Sequence, residues 1–545
     1  MIKRYSTKIF LVVITLLQNS QFTIAQQVVP GINGNFEINS QYYEADSAIE
    51  APEVKEKLLN NGFLNLNYIN GNFRAGLRYE AYLNPLLGFD SRFQGSGIPF
   101  RYASYNYEGI DVTVGNFYDQ FGNGLIFRSY EERAIGTDNA MDGIRVAYQP
   151  IKGVTLKGLV GRQRDFFELG EGLVRGADAD VQLSDAIPKL KDSKLRVGLG
   201  GSFVSKFQAD DDIVRILPEN VASFAARTNI NVGKFAFNAE YAYKYNDPYI
   251  GNGFIYKNGE ALYLNASYTK KGIGAAITAK RIDNMGYRSE RSATVNQLII
   301  NYLPAINKQH TYRLVTLYPY ATQPNGEMGI SGELYYNFKS GTSLGGKYGT
   351  TIAINASSVN DIKRTPASND TLGYESDFFA IGETKYYQDA SLEVTKKISK
   401  KVKVIASYIY QLYNKDIVEG KNGFGLITAH TGVIELTWKI TDKHSIRTEF
   451  QHLLANKDKG DWALALVEYS VSPYWSVAVY DEYNYGNEDT DHRYHYYNAS
   501  FAYTKNANRF SLGYVRQRAG LLCVGGVCRV VPASNGVSLS ITSRF

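Results

Sequence analysis

Between Asn72 and Leu83 the chain alternates without a break. Phe73, Ala75, Leu77, Tyr79, Ala81 and Leu83 fall on one side, and Asn72, Arg74, Gly76, Arg78, Glu80 and Tyr82 on the other. The pattern returns at 235–245, where Phe235, Phe237, Ala239, Tyr241, Tyr243 and Tyr245 oppose Ala236, Asn238, Glu240, Ala242 and Lys244. Successive side chains of a strand point to opposite faces, so a period of two means strand. Strands of a soluble sandwich are usually about 5–6 residues long, whereas about 9–11 are needed to cross a bilayer at a tilt. Runs of this length recur from one end of the chain to the other. They predict an all-β fold, a single large transmembrane antiparallel β-barrel.

Short and long connections alternate as well. Short turns are expected near Asn70-Gly71, Glu108-Gly109, Pro150–Gly153, Lys191–Lys194, Gly233-Lys234 and Lys270–Gly272. They continue near Ala305–Gln309, Ser340-Gly341, Ser399–Lys401, Thr441–Lys443, Ser472–Tyr474 and Lys505–Asn508. Between them lie longer polar segments, among them 44–57, 85–97, 119–139, 208–218, 246–257, 357–383, 415–423 and 519–533. Short periplasmic turns and long external loops are the asymmetry of an outer-membrane barrel. Interleaving these turns and loops gives about 26 strands, within a range of roughly 22–26, with both ends in the periplasm.

Composition fits that architecture. Tyr (43) and Gly (50) are abundant while Cys (2) and Met (4) are scarce, as interfacial aromatic rings and tight turns require. A negative mean hydropathy is no obstacle, because every second residue of a barrel strand faces a polar interior. Residues 1–25 carry a secretory signal: Lys3, Arg4 and Lys8 form its positive region and Ile9 to Leu17 its apolar one. Thr23-Ile24-Ala25 supplies a small-residue site for cleavage after Ala25. The apolar run is well short of the ~20 residues a spanning helix needs. No linker divides 26–545, which is expected to form one barrel in the bacterial outer membrane, crossing it many times. Its expected partners are the membrane lipid and, during insertion, the barrel-assembly machinery. A net charge of +6, part of it in the signal, with no basic run, argues against a nucleic-acid partner.

Chemistry concentrates in the stretch Ile110–Tyr148. It reads as two strands joined by a long loop, Asp119 to Asn139, that carries Arg128, Glu131, Glu132, Arg133 and Asp138 beside Phe127 and Tyr130. Connections of this length are uncommon in compact domains and are usually functional. Opposed charges across a narrow gap select solutes by charge and hydrogen bonding, so these five residues are candidate constriction residues. The alternative is a solvated loop with surface ion pairs worth little. The pleat places Arg74, Arg78, Glu80, Glu240 and Lys244 on the lumen face, since on the lipid face each would cost about 2–4 kcal/mol near the midplane. Wetting and bracing the wall is their ordinary role; contact with a solute is the alternative.

Cys523 and Cys528 are expected to pair in an oxidising compartment. Two cysteines alone make a poor metal site, which normally takes about four ligands, and no metal or other cofactor is expected. Asp491, His492 and His495 are the one suggestive cluster for acid–base chemistry. No serine stands beside a histidine in a nucleophilic motif, so the expectation is a protein that is not an enzyme.

The chain resembles an uncharacterised family of outer-membrane β-barrel proteins from the Bacteroidetes phylum. The likeness is carried by Gly31-Ile-Asn-Gly-Asn-Phe36, Arg78-Tyr-Glu-Ala-Tyr-Leu-Asn-Pro85, Gly115-Asn-Phe-Tyr118, Arg128-Ser-Tyr-Glu-Glu-Arg133, Asp138-Asn-Ala-Met-Asp-Gly143 and Cys523-Val-Gly-Gly-Val-Cys528. It implies fold and location and brings no activity with it. The Ile110–Tyr148 stretch is also loosely similar to the strand–loop–strand of porins and polysaccharide-export barrels, where an Asp-Gly pair opens the strand after a charged loop. Asp142-Gly143 stands in that place here. The similarity implies a third loop that folds inward and narrows the lumen. The last strand, with Val537, Leu539, Ile541 and Phe545 on one face, resembles the insertion signal of such barrels, which ends in a terminal Phe. Asp46-Ser47-Ala48 and Asp370-Thr371-Leu372 resemble the O-glycan acceptor pattern of exported proteins of that phylum; a chance match is the alternative.

A barrel of about 26 strands is roughly 50 Å across. The first strand, read at Gly34 to Tyr43, opens almost at the expected mature start, so no N-terminal plug domain is expected. Inward loops must fill such a hole, or another protein must. The first favours a porin-like channel for polar or oligomeric solutes. The second favours a non-enzymatic scaffold or subunit of an envelope machine whose partner fills the barrel.

Overall fold

Twenty-four strands form one closed antiparallel sheet in the computed structural model, which describes residues 31–545. The signal segment and its cleavage after Ala25 lie outside the described residues. The first strands are β1 (Gly31–Glu44), β2 (Leu58–Asn70), β3 (Phe73–Leu83), β4 (Gly95–Tyr107), β5 (Ile110–Phe117) and β6 (Met141–Tyr148). There follow β7 (Val154–Asp165), β8 (Glu168–Gln182), β9 (Leu195–Phe207), β10 (Asn220–Val232), β11 (Phe235–Lys244) and β12 (Gly259–Lys270). The second half holds β13 (Ile273–Asp283), β14 (Gly326–Phe338), β15 (Thr350–Pro366), β16 (Tyr374–Lys397), β17 (Val402–Asn414) and β18 (Leu426–Lys439). The last are β19 (His444–Ala455), β20 (Trp462–Val471), β21 (Trp475–Tyr483), β22 (His495–Lys505), β23 (Asn508–Gln517) and β24 (Ser534–Arg544).

Each strand pairs with its neighbours in sequence, and β1 closes on β24, with Asn35 opposite Arg544 and Glu44 opposite Asn535. Phe545 extends the seam: its N–H donates to the Gly34 carbonyl (3.0 Å) and its carbonyl accepts from the Gly34 N–H (2.9 Å). Closure removes the unpaired edges that an open sheet of this size would expose.

The strand number, 24, falls within the expected range and below the figure of 26. Ala305–Gln309, read from sequence as a turn, lies inside a long connection, 284–325, that leaves β13 and runs through the lumen to β14. Its apolar stretches look like strands because they bury side chains, but they bury them against the inner wall. The segment 357–383, read as a loop, is instead the end of β15, a connection at 367–373 and the beginning of β16.

Outward-facing side chains are aliphatic in the middle of the wall, as at Ile277, Ile330, Leu392, Ile434, Val467 and Val479. Aromatic residues stand towards both ends: Phe73, Phe235, Trp438, Trp475 and Phe510 near the turns, and Tyr42, Tyr245 and Tyr497 near the loops. That is how a wall in lipid is dressed. Arg78, Glu80, Glu240 and Lys244 point inward and are buried, while Arg74 points inward and is exposed near the turn rim.

Where the chain leaves β5, Gly115, Gly143 and Gly161 stand opposite one another on adjacent strands. Gly115 has φ +93°, and a Cβ on Gly143 would lie 2.0 Å from the Val160 oxygen and 2.6 Å from Gly161 Cα. No side chain fits between these backbones. Gly143→Val is expected to destabilise the barrel by about 1–3 kcal/mol, seen as a lower temperature for losing the compact band on a cold detergent gel. Gly158→Val, where a Cβ meets nothing within 4 Å, is the control and leaves that temperature unchanged.

Candidate functional site

The lumen is crossed by segments of the chain itself. The first inward loop, 118–140, buries Phe121, Leu125, Ile126 and Phe127 against Leu159, Val174, Val204, Val221, Ala225, Ala242, Ala261 and Ile282, the inner faces of β7 to β13. The second inward loop, 284–325, adds Met285, Tyr287 and Ile300 to that cluster. Its later part sends Ile306, Leu314, Tyr318 and Tyr320 against Val359, Tyr387, Tyr413, Ile427, Leu453, Trp462 and Leu464 on the inner faces of β15 to β20. An inner wall facing water would have no use for these side chains. They are receptor patches for the loops.

Backbone bonds join the two loops: Arg128 N–H donates to the Ile300 carbonyl (2.8 Å) and Tyr302 N–H to the Gly124 carbonyl (2.8 Å). Asn139 Nδ2 reaches the Ile299 carbonyl (2.7 Å), and Asn301 Nδ2 the Leu125 carbonyl (3.2 Å). A third element, the hairpin Gly520–Val524/Val527–Val531, lies over them, with Cys523 and Cys528 paired across it and joined as a disulfide. Tyr302 Oη donates to the Gly525 carbonyl at its tip (2.9 Å), and Thr322 N–H to the Gly526 carbonyl (3.0 Å). Asn296 Nδ2 donates to the Cys528 carbonyl (2.8 Å).

The loop charges make contacts of several kinds. Asp138 is gripped by Arg78, by Arg164 (2.5 Å) and by the Tyr118 hydroxyl (2.9 Å). Arg78 also meets Glu80 (2.6 Å) and Glu131 (3.0 Å), and Arg164 meets Glu80 (2.6 Å). Burial opposes the charge of Asp138, but the Arg164 and Arg78 guanidiniums outweigh it and hold the carboxyl below the usual carboxylate range. Arg133 pairs with Glu131 (2.5 Å) and with Glu37 (2.8 Å) on β1, its guanidinium over the Phe63 ring. Glu132 accepts from Ala134 N–H (3.2 Å) and caps a short helical turn. Arg128 lies between the rings of Tyr130 (4.4 Å) and Tyr302 (4.0 Å). Of the five, Asp138, Glu131 and Arg133 tie the loop to the wall, Arg128 ties it to the second loop, and Glu132 shapes it.

Lumen charges on the wall hold the loops in the same way. Glu240 accepts from Asn123 N–H (2.6 Å) and Nδ2 (2.8 Å), and Lys244 donates to the Gly286 carbonyl (2.8 Å). Sequence reasoning passed over Lys280–Glu327 (2.5 Å), His310–Asp389 (2.8 Å) and Glu482 with Arg518 (3.2 Å) and Arg313. A signal for the docking patches was present: the loop-side ends of β9 to β13 carry Val204, Val221, Ala242, Ala261 and Ile282 where the alternation calls for polar residues. The histidine cluster does not converge, since His492 pairs with Asp489 (2.6 Å) and His495 with Asp481 (2.6 Å). Ser47 is exposed in the loop between β1 and β2, and Thr371 is exposed at the tip of the hairpin joining β15 and β16.

A model of a family of unknown function, DUF6029, matches residues 2–545. The chain belongs to that family. No curated protein matches it. Among solved structures, this DUF6029 chain is similar to one in the E. coli P pilus tip assembly intermediate PapC-PapD-PapK-PapG. The two are 10% identical with a TM-score of 0.49, over 96% of this chain and 62% of that one. The ferric enterobactin receptor PfeA of Pseudomonas aeruginosa is 11% identical with a TM-score of 0.44, over 96% and 81% of the two chains. Acinetobacter baumannii OccAB3 is 9% identical with a TM-score of 0.36, over 94% and 99%. At such identities the likeness is one of fold alone.

Asp138→Ala leaves Arg78 and Arg164 buried without their shared carboxylate. Removing one partner of a buried pair costs about 3–5 kcal/mol, so this DUF6029 variant is expected to expose 118–140 to proteolysis while the barrel persists. The pH dependence has a definite sign. Because the carboxyl is held below its ordinary value of 3.8, its grip on the loop is complete above the usual carboxylate range and is lost as the pH falls through the folded-state value. Pepsin digestion at successively lower pH is expected to cut the loop only at the acid end of the series.

Proposed function

We propose that this protein is an outer-membrane channel for polar or oligomeric solutes, resting in a closed state set by its own inward loops. The observation that carries this reading is the filled lumen. Two loops and a disulfide-tied hairpin cross a barrel whose wall supplies apolar patches and ion pairs to seat them. A barrel serving only as a scaffold has no need of so wide a wall around so specific a filling. The inward segments join the wall mainly through side chains, so they can leave it without breaking the barrel's backbone ladder. Residues 1–25 serve as the export signal in this reading, and nothing in it requires catalysis.

The charges carried by the first loop (Arg128, Glu131, Glu132, Arg133 and Asp138) then line the narrowest passage when the loop moves, in the role of constriction residues. Solute selection falls to that set together with the inward polar residues of the wall.

A second reading has one observation of its own. Ile213, Val214 and Ile216 on the rim loop between β9 and β10 are 100%, 81% and 88% exposed. Side-chain bonds to the backbone shape the loop in that pose: Asp212 accepts from Val214 and Arg215 N–H (2.8 Å each), and Asp210 from Leu217 N–H (2.9 Å). Aliphatic side chains held out in this way suit a protein partner at the cell surface. In that reading the protein is a subunit of an envelope assembly, and the partner binds the rim, because the lumen is already filled.

Planar-bilayer recording separates the two. Wild type is expected to show little steady conductance, and deletion of Leu125–Ile135 a large, stable one. A folded, inserted deletion variant that stays silent overturns the channel reading.

A further inference from the structure

The hairpin formed by the ends of β15 and β16 leaves the wall and lies as a strap across the outer surface of β11 to β13. Its tip reaches the β11–β12 loop, where Tyr256 N–H donates to the Thr371 carbonyl (2.8 Å). Along the strap, the Tyr374 hydroxyl donates to Asp283 (2.6 Å), and the Ser376 hydroxyl donates to the same carboxylate. Phe378 covers the Arg281 guanidinium (4.6 Å) and meets the Tyr241 ring (6.3 Å). Arg281 and Asp283 occupy outward positions of β13, the same face as Ile277, yet they are 3% and 2% exposed.

Cover for two charges does not account for everything between strap and wall. A cavity of about 330 Å³ remains there, lined by Tyr243, Tyr256, Lys257, Asn258, Glu260, Asp283, Leu372 and Ser376. It lies at the level of the loop-side aromatic residues, on the outside of the barrel and apart from the lumen. Two carboxylates in it face Lys257, which stands 3.6 Å from Asp283, and Arg281, which stands 3.4 Å from Glu260. Each carboxylate thus has a cationic partner, and the cavity together with the neighbouring Arg281 is close to neutral, which disfavours both a cation and a phosphate. It offers tyrosine side chains next to an amide, a hydroxyl, an ammonium and carboxylates. A ligand that answers all of these has a flat ring with apolar faces and neighbouring hydroxyls that both donate and accept hydrogen bonds. The volume is at the small end of the ~300–1,000 Å³ range of ligand sites, the size of one or two such rings.

We propose that the cavity under the strap binds a neutral saccharide unit, either free or as the headgroup of a glycolipid in the outer leaflet. Tyr243 presents a ring to the sugar, Glu260 and Asn258 take its hydroxyls, and the strap closes over it through Ser376 and Leu372. The proposal is independent of the channel reading, since none of these residues faces the lumen.

The test uses full-length mature protein in amine-oxide micelles, which carry no sugar. Saturation-transfer NMR with D-glucose, D-galactose, D-mannose and N-acetylglucosamine probes the free saccharide. Native mass spectrometry after exposure to vesicles of a galactosyl diacylglycerol, whose headgroup is an uncharged sugar, probes the lipid-borne one. Tyr243→Ala and Glu260→Gln are the variants, each first shown to keep the compact band on a cold detergent gel. Binding in either arm that falls at least tenfold in both variants supports the site. The arm that responds identifies the source. Absence of binding by wild type in both arms, or binding that both variants leave undiminished, overturns it.

Discussion

A closed sheet of 24 strands encloses a space roughly 48 Å across, and most of this structure answers that single geometric fact. Backbone hydrogen bonding forces closure, because an open edge in lipid leaves N–H and C=O groups without partners. Closure at this strand number makes a hole that side chains on the wall cannot fill. The chain fills it with its own connections. Loop 118–140, loop 284–325 and the hairpin at 520–531 fulfil inside the barrel the burial requirement that a soluble protein meets in its core.

Two kinds of contact divide the work of holding them. Apolar patches on the inner wall supply the adhesion, as at Val204, Val221, Ala242 and Ile282. Ion pairs supply the position: Arg78 and Arg164 converge on Asp138, and Lys280 reaches Glu327. Buried pairs contribute little net stability, and breaking one strands its partner. They therefore fix where a loop sits more than how tightly it is held. That combination gives the filling one defined pose.

The outer surface solves a related problem by a different device. Arg281 and Asp283 fall on outward positions of β13, and the chain covers them by folding the β15–β16 hairpin back over the wall. Inside and outside, the same rule operates: where the pleat puts a side chain on the wrong face, a connection is brought over to meet it.

Much of this was legible in the sequence. The alternation at 72–83 and 235–245 gave strands with the correct inward and outward residues, because side-chain direction in a strand is set by its immediate neighbours. Turns such as Asn70-Gly71 and Gly233-Lys234 were legible for the same reason. Loop 119–139 stood out through its length and charge. Its partners did not. Asp138 meets Arg78 from β3 and Arg164 from β7, and these separations are fixed by strand tilt, register and the path of the loop across the lumen. Segment 284–325 misled for a related reason: a stretch that buries apolar side chains against the inside of a wall carries the same local pattern as one that forms the wall. Sequence by itself determined that the chain is a barrel, through strands long enough to span a bilayer joined alternately by short turns and long loops, and which face each strand turns inward, through the period of two. Only the tertiary structure decided that the barrel is filled, and by which loops, because that depends on contacts between residues tens to hundreds of positions apart.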